Sequence, residues 1–529
     1  MSRFVRASKY RHVFGQPGKK EYAVDNVKIS NSAWDTNMLA TSGRYISINW
    51  NSGGGGAFAI LPLPSPFKAL PNNLPWKLPD IIPLARGHSA PVLDTAWSPF
   101  DDSLVASGGE DGNILIWKVE NSQFDGWGLE KWEPVDFEPV ARIAASPKRI
   151  GQLLFHPAAS HVLASATGDH TVKLWDLERA DDPRITLSGH GDTIQSMDWN
   201  WAGTLLVTTS RDRKIRIFDP RASPEAVRVG EGHAGIKSAR AVWLGQTDRI
   251  ATTGFSRQSD RELSIWDAGT LESLRKVTVD QSAGVLMPFW SDNNVLFVAG
   301  KGDGNIRYYE YENDNFIALS EYKSTDPQRG LCFLPRRALS VSDCEIARAY
   351  KVSGSVVEPI AFVVPRKADS FQADIFPPAL AAEPSLSAAE FYNGKQAAPN
   401  MVSLETGAVA PSSMSFAPTP KSSLAPQSTP TPATSSAYAP APAPAPAPTP
   451  APDPAPTTSP TPARKESLPT STYAPARSPD AGSGVLKEEN SRLTEELRDA
   501  RAQIRALELQ VETMRANAER ASKLLGGNL

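Results

Sequence analysis

One short pattern recurs along the N-terminal part of the chain, and its spacing limits the fold more than any other feature. ASGGEDGNILIWK at 106–118 returns as ASATGDHTVKLWD at 164–176 and TTSRDRKIRIFD at 208–219. It returns more loosely as TTGFSRQSDRELSIWD at 252–267 and AGKGDGNIRYYE at 299–310. Each copy joins small residues, a turn holding an acid, and a strand that alternates apolar and polar side chains. AFAILPL at 57–63 and CEIARAYKV at 344–352 repeat the shape without the signature, which makes seven copies. A spacing near the roughly 43 residues of a four-stranded repeat unit predicts an all-β propeller of seven blades around one axis. The interval from Trp117 to Trp175 is longer by about 15 residues than that period, and the extra NSQFDGWGLEKWEPVDFEP reads as a surface insertion.

Gly-His pairs precede three of the copies, at Gly87-His88, Gly189-His190 and Gly232-His233. Together with the terminal Trp this is the WD-repeat signature. Its physical logic is a buried polar chain: the His bonds the turn Asp, and a Ser or Thr links the His to the indole N–H, so that no buried polar group is left unpaired. The second copy supplies His88, Ser107, Asp111 and Trp117; the third Asp169 and Trp175; the fourth His190 and Asp212; the fifth His233 and Trp266. Ser146 stands at the His position of the third copy and Phe218 at the Trp position of the fourth, so those two chains are expected to be incomplete. The histidines are read as structural rather than as metal ligands or acid-base groups.

Composition changes sharply beyond this region. The whole chain holds 46 prolines in 529 residues, and most of 405–483 is Ala, Pro, Ser and Thr, with APAPAPAPTPAPDPAP at its centre. Such a segment buries too little apolar surface to offset its entropy, which predicts a disordered, polyproline-biased linker. Its Ser-Pro and Thr-Pro pairs offer possible phosphorylation sites at Thr419, Thr429, Thr431, Ser459, Thr461 and Ser478. From 484 the proline disappears and apolar residues recur alternately at four and three: Leu486, Asn490, Leu493, Leu497, Ala500, Ile504, Leu507, Val511 and Met514. This narrow stripe with charged flanks predicts a self-associating coiled coil over 484–529. The expected organisation is a propeller over 1–365, an extension over 366–404 packed on it through Phe371, Ile375 and Phe376, the linker over 405–483, and the coiled coil.

Several function classes are disfavoured. A net charge of -3, from 55 Lys+Arg against 58 Asp+Glu, gives no electropositive excess for nucleic acid. Two cysteines, Cys332 and Cys344, support neither a disulfide framework nor a four-cysteine zinc site, and suit a reducing, cytoplasmic location. No run of about 18 apolar residues predicts a membrane span. Gly53–Gly56 and the glycines from Gly300 to Gly304 lack the spacing of a phosphate-binding loop. No nucleophile elbow and no paired Cys/His spacing is present, so an enzyme is not expected, nor is a cofactor.

SKYRHVFGQPGK, GGGAF, GHSAPVLDTAWSPF, RGLCFLPRR, CEIARAYKV and VPRKADSFQADIFPP together resemble the coronins, from Ser8 to about Pro378. The order of propeller, extension, linker and coiled coil is similar to that of a short, fungal-type coronin. The resemblance implies a non-catalytic binder of filamentous actin that cross-links filaments and regulates the branching nucleation complex built on actin-related proteins. It also implies residence in the actin cytoskeleton, at cortical patches. The alternative is a generic WD-repeat scaffold with no actin affinity. Because the filament surface is acidic, local basic residues are the expected contacts, and Lys19, Lys20 and Lys28 are the candidates. RHVFG is placed to close the ring by adding an outer strand to the last blade, with His12 and Phe14 structural. Coronin coiled coils resemble a trimerising pattern of Arg, apolar residue, two variable residues, apolar residue and Glu. Here it reads Gln503 to Glu508, which favours a trimer over a dimer although Gln replaces the Arg.

Overall fold

The computed structural model describes residues 6–53, 55–71, 74–127, 129, 132–366 and 370–412. Within them the chain forms seven four-stranded antiparallel sheets and one small three-stranded sheet. Blade one is built of Leu39–Thr41, Tyr45–Trp50, Gly56–Pro62 and Ala85–His88, from inside to outside. Blade two follows with Val92–Trp97, Leu104–Gly109, Asn113–Lys118 and Pro139–Ala144. Blades three to six occupy 150–187, 194–231, 240–280 and 286–323. The middle strands have both faces covered by neighbouring blades, so even their small polar side chains are buried; Tyr45–Trp50, Gly56–Pro62 and Val162–Thr167 are buried at every position.

The last blade takes its outermost strand from the N-terminus. Gly330–Phe333, Glu345–Ser353 and Val356–Val363 follow blade six in the chain, and Phe14–Pro17 pairs antiparallel with Val356–Val363, Phe14 opposite Val363. CEIARAYKV is therefore the second strand of its blade, not the third as in the signature copies. His12 and Phe14 are both exposed; the anchors are Tyr10 and Val13, buried among blade-six and blade-seven side chains. The Tyr308 hydroxyl donates to the Val13 carbonyl at 2.8 Å.

Neighbouring blades are stapled along their inner strands by side chains that bond backbone. Asp94 accepts from the Leu153 amide at 2.8 Å, and Asp198 from the Trp243 amide at 2.7 Å. Gln152 exchanges two bonds with Met197, at 2.8 and 3.1 Å. Thr41 donates to the Phe333 carbonyl at 2.8 Å, which joins the first blade to the last. Burial pushes the Asp94 and Asp198 carboxyls up to about 7, against the lowering effect of the amides they accept from.

The insertion between the third and fourth strands of blade two is not simply a surface loop. Phe124, Trp127 and Phe137 are buried, Phe124 stacks on Tyr45 with ring centres 5.4 Å apart, and the Phe137 amide bonds the Leu84 carbonyl at 3.0 Å. Its aromatic residues extend the core of blade one, which corrects the reading of the whole segment as a surface insertion.

The extension crosses from blade seven to blades three and four. Ile375 and Phe376 are buried on blade seven, and Phe371 stacks on Phe376. The short helix Ala388–Tyr392, capped by Ser387, places Phe391 against His156 and Trp199. Regular structure continues past residue 404: Val409–Pro411 pairs with Asn400–Val402, so the linker expected from 405 gives up its first residues to this small sheet.

Candidate functional site

Inside the blades, the signature residues form chains of different completeness. In blade two the Trp117 indole donates to Ser107 Oγ at 2.9 Å, Ser107 lies 2.8 Å from His88 Nε2, and His88 Nδ1 lies 3.0 Å from Asp111. Since Asp111 accepts at Nδ1, that nitrogen carries the proton and Nε2 accepts from the serine. Burial opposes ionisation of Asp111, but bonds from His88 and from the Ser89 and Asn113 amides hold it below the usual carboxylate range.

Blade five builds the same chain with a different acid. Trp266 donates to Thr252 at 2.7 Å, Thr252 lies 2.8 Å from His233 Nε2, and His233 Nδ1 lies 3.0 Å from Glu262. In blade three Trp175 donates to Ser165 at 2.9 Å, and Ser146 reaches Asp169 at 3.3 Å in place of a histidine. Blade four departs most. His190 Nε2 lies 2.9 Å from Thr208, but His190 Nδ1 donates to the His170 carbonyl, not to Asp212. Asp212 instead holds Arg216 at 2.6 Å. The residue four after the turn Asp decides this: Leu115 leaves Asp111 to its histidine, Lys173 sits 3.6 Å from Asp169, and Arg216 captures Asp212. The histidines, hydroxyls and aromatic rings of blades two, four and five are buried, their acids buried or half-buried, and each is engaged by a neighbour, which is the signature of structural networks.

The surface site lies where the N-terminal segment meets a loop of blade one. The Asp25 amide donates to the Trp76 carbonyl at 2.7 Å, the Leu78 amide to the Asp25 carbonyl at 3.0 Å, and Asn26 Nδ2 to the Leu78 carbonyl at 2.9 Å. Lys28 Nζ donates to the Asp80 carbonyl at 2.8 Å. The Asn26 amide and Ser355 hydroxyl hold the Asp25 carboxyl below its ordinary range and tie the same stretch to blade seven. This zipper sets Lys20 over the Trp76 ring at 5.5 Å and Lys19 over Tyr22 at 5.5 Å. Lys19, Lys20, Lys28 and Lys77 are exposed beside Trp76 and Ile81, which are 38% and 73% exposed. The three sequence candidates are thus brought to one neighbourhood. Trp76, Lys77 and Ile81 were missed, because only the fold brings the 71–81 loop to them.

A cavity of about 390 Å³ opens where Ser30–Met38 crosses the axis. Thr36 bonds the Leu93 carbonyl of blade two at 2.6 Å, the Trp34 indole the Gly151 carbonyl of blade three at 2.8 Å, and Asp35 accepts from Ser238 at the entry to blade five at 2.8 Å. Lys301 of blade six reaches the Trp34 carbonyl at 3.2 Å and Arg329 of blade seven the Ser30 carbonyl at 2.9 Å. One segment therefore binds five blades. Among the described residues no three His, Cys, Asp or Glu gather as metal ligands, and no helix is long and apolar enough to cross a membrane. The oligomerisation positions from Leu486 to Met514, with Glu508, and the phosphorylation candidates from Thr419 to Ser478 lie outside the described residues.

Seven four-stranded blades, two of them holding a complete indole–hydroxyl–imidazole–carboxylate chain and two an incomplete one, define a WD-repeat propeller. Models of the WD domain, G-beta repeat, match at 82–118, 137–176 and 181–219, a type of WD40 repeat matches at 357–399, and a domain of unknown function (DUF1899) at 3–68. The chain belongs to the coronin family. It is 42% identical over 413 residues to Coronin-A of Dictyostelium discoideum, covering 77% of this chain and 88% of that protein. It is 51% identical over 409 residues to the Coronin-like protein crn1 of Schizosaccharomyces pombe, covering 76% of this chain but only 65% of that relative. Human Coronin-2A is 39% identical over 412 residues, with 76% and 75% covered. The crystal structure of the WD40 domain of Toxoplasma gondii coronin superposes with a TM-score of 0.67 at 30% identity, over 74% of this chain and 97% of that one.

Proposed function

We propose that this protein binds filamentous actin without catalysing a reaction, and that the Lys19, Lys20, Lys28 and Lys77 cluster around Trp76 is its filament contact. The observation that carries the reading is the zipper that places four exposed lysines beside an exposed indole, where the N-terminal segment is bonded to a loop of blade one. Such a surface matches an acidic partner in charge and offers an aromatic anchor, the combination that gives encounter rate and a central contact. Membership of the coronin family supports actin as that partner, through the activity the resemblance implies.

The coiled coil expected over 484–529 joins several such heads, so that one molecule cross-links filaments by raising the effective concentration of the second contact. The proline-rich segment after Pro411 gives the heads reach. Regulation of the actin-related-protein nucleation complex and residence at cortical patches in the cytoplasm complete the proposal. Cosedimentation of the full chain with actin filaments tests it. Reversal of Lys19, Lys20 and Lys28 to Glu leaves the protein in the supernatant if the assignment is right. A generic scaffold stays there with or without the substitutions.

A further inference from the structure

The cavity beside Trp34 has no part in the surface proposed for actin. Its wall carries Arg149 of blade three, Arg211 of blade four and Lys237 before blade five. None of these cations meets a carboxylate at ion-pair distance among the described residues, and the Arg149 Nε is buried without a partner. Their placement is nonetheless fixed. Arg149 lies 4.3 Å over the Trp34 ring, while Lys237 lies 4.6 Å over Phe255 and donates to the Ala283 carbonyl at 3.2 Å. The one acid in the wall, Asp35, is already engaged by Lys301 at 3.8 Å and by Ser238. Beside them Ile236 is 77% exposed. Unpaired charge held in position beside an exposed aliphatic side chain costs little to order on binding, which suits a ligand opposite in charge with an apolar anchor. Because Ser30–Met38 closes the axis here, such a ligand lies in the cup and not along the channel.

We propose that this cup is a docking site for an acidic peptide segment of a partner protein, one that packs an aliphatic or aromatic side chain on Ile236 and Trp34 and sets carboxylates against Arg149, Arg211 and Lys237. The test is fluorescence anisotropy on the full chain with a labelled Glu-rich peptide of about a dozen residues carrying a central Leu. The expected result is binding that weakens about tenfold or more in the Arg211→Glu, Lys237→Glu double variant and severalfold in Ile236→Ser, with steep salt dependence. It is also lost when the peptide's Glu become Gln, and unchanged by Lys19→Glu with Lys20→Glu. All five substituted positions are exposed, so melting temperatures report that each variant is folded. Absence of peptide binding overturns the proposal, as does binding that survives the double reversal or falls equally with Lys19 and Lys20. Phosphatidylserine vesicles or actin filaments that lose binding in the double variant, while the peptide does not bind, would assign the cup to a membrane or to the filament and equally overturn it.

Discussion

Gly15 in the closing strand lies directly against Tyr322 of blade six: a Cβ on Gly15 would stand 2.7 Å from the Tyr322 ring. The glycine of RHVFG is therefore required by a close approach between two blades, at the point where the ring is joined. Gly15→Val is expected to push the closing strand off Tyr322 and destabilise the protein by about 1–3 kcal/mol, the usual cost of overpacking. Gly53→Ala, where nothing lies within 4 Å, serves as control and leaves the melting temperature unchanged. Thermal unfolding followed by tryptophan fluorescence decides between them, and equal melting temperatures for the two variants would show that closure does not depend on this contact.

Counting back six residues from the signature Trp gives Asp111 in blade two, and the same count in blade five gives Asp260. The His233 partner is instead Glu262, while Asp260 only bonds Ser256 at 3.0 Å. Glu262→Ala should leave buried His233 Nδ1 without an acceptor and cost about 1–3 kcal/mol. Asp260→Ala should cost within about 0.5 kcal/mol. Urea denaturation of the two variants measures the difference, and the reverse order would restore Asp260 as the network acid.

The contrast shows where the fold was legible. The repeat period carried the seven blades, because each blade spends the same four strands and turns on the same buried contacts with its neighbours. The closing strand was legible too, but its anchors were not: Tyr10 and Val13 bury, whereas His12 and Phe14 face solvent. Tyr10 lies in a turn before the strand, closed by the Val13 amide on the Tyr10 carbonyl at 3.0 Å, so strand alternation does not reach it. The blade-four departure was in principle readable from Arg216, four residues after Asp212. The clustering of Trp76 with Lys20 was not, since it depends on backbone bonds between segments some fifty residues apart.

Acid titration separates two opposing sets of buried groups. His156 Nε2 donates to the Gly203 carbonyl at 2.8 Å, and His156 Nδ1 accepts from the Ala158 and Ala159 amides, so the ring is fixed in its neutral form. Burial pushes it down to about 3. A depressed histidine contributes stability that is present above its unfolded value of about 6.5 and lost as pH falls below it. Asp198, pushed up to about 7, does the opposite: its contribution is present in acid and lost as pH rises through 7. His156→Asn should therefore lose less stability than the parent between pH 6.5 and 4, and Asp198→Asn should lose more. Melting temperatures across that range read both signs, and parallel curves for parent and variants would refute the assignment.

At the proposed filament contact, Trp76 distinguishes an anchored interface from a merely charged one. Trp76→Ala removes the surface on which Lys20 rests, an exposed cation–π contact worth about 0.5–1 kcal/mol to folding. Its effect on binding should be larger, at least about tenfold in the cosedimentation constant, because central aromatic residues dominate interface energies. Lys77→Glu should act chiefly on salt dependence. If Trp76→Ala binds like the parent at low and moderate salt, the loop of blade one is not part of the contact.

The last expectation concerns assembly and rests on the heptad positions of 484–529. Ile504 and Leu507 occupy core positions of the kind that favour two strands, and Asn490 fixes register in dimers as well as in larger coils. The coronin pattern argues for three strands, through an Arg of one chain bonding the Glu of the next. In this chain Gln503 stands where that Arg would be, so the bidentate ion pair with the Glu of a neighbouring chain is replaced by a weaker bond from an uncharged amide. A trimer is expected from the full chain by sedimentation equilibrium, less tight than one with the Arg in place. Gln503→Arg should strengthen it, and removal of 484–529 should give a single head that binds filaments weakly and no longer bundles them. A mass of two chains at every concentration, with bundling retained, would establish that two heads suffice and that the trimer pattern does not carry over.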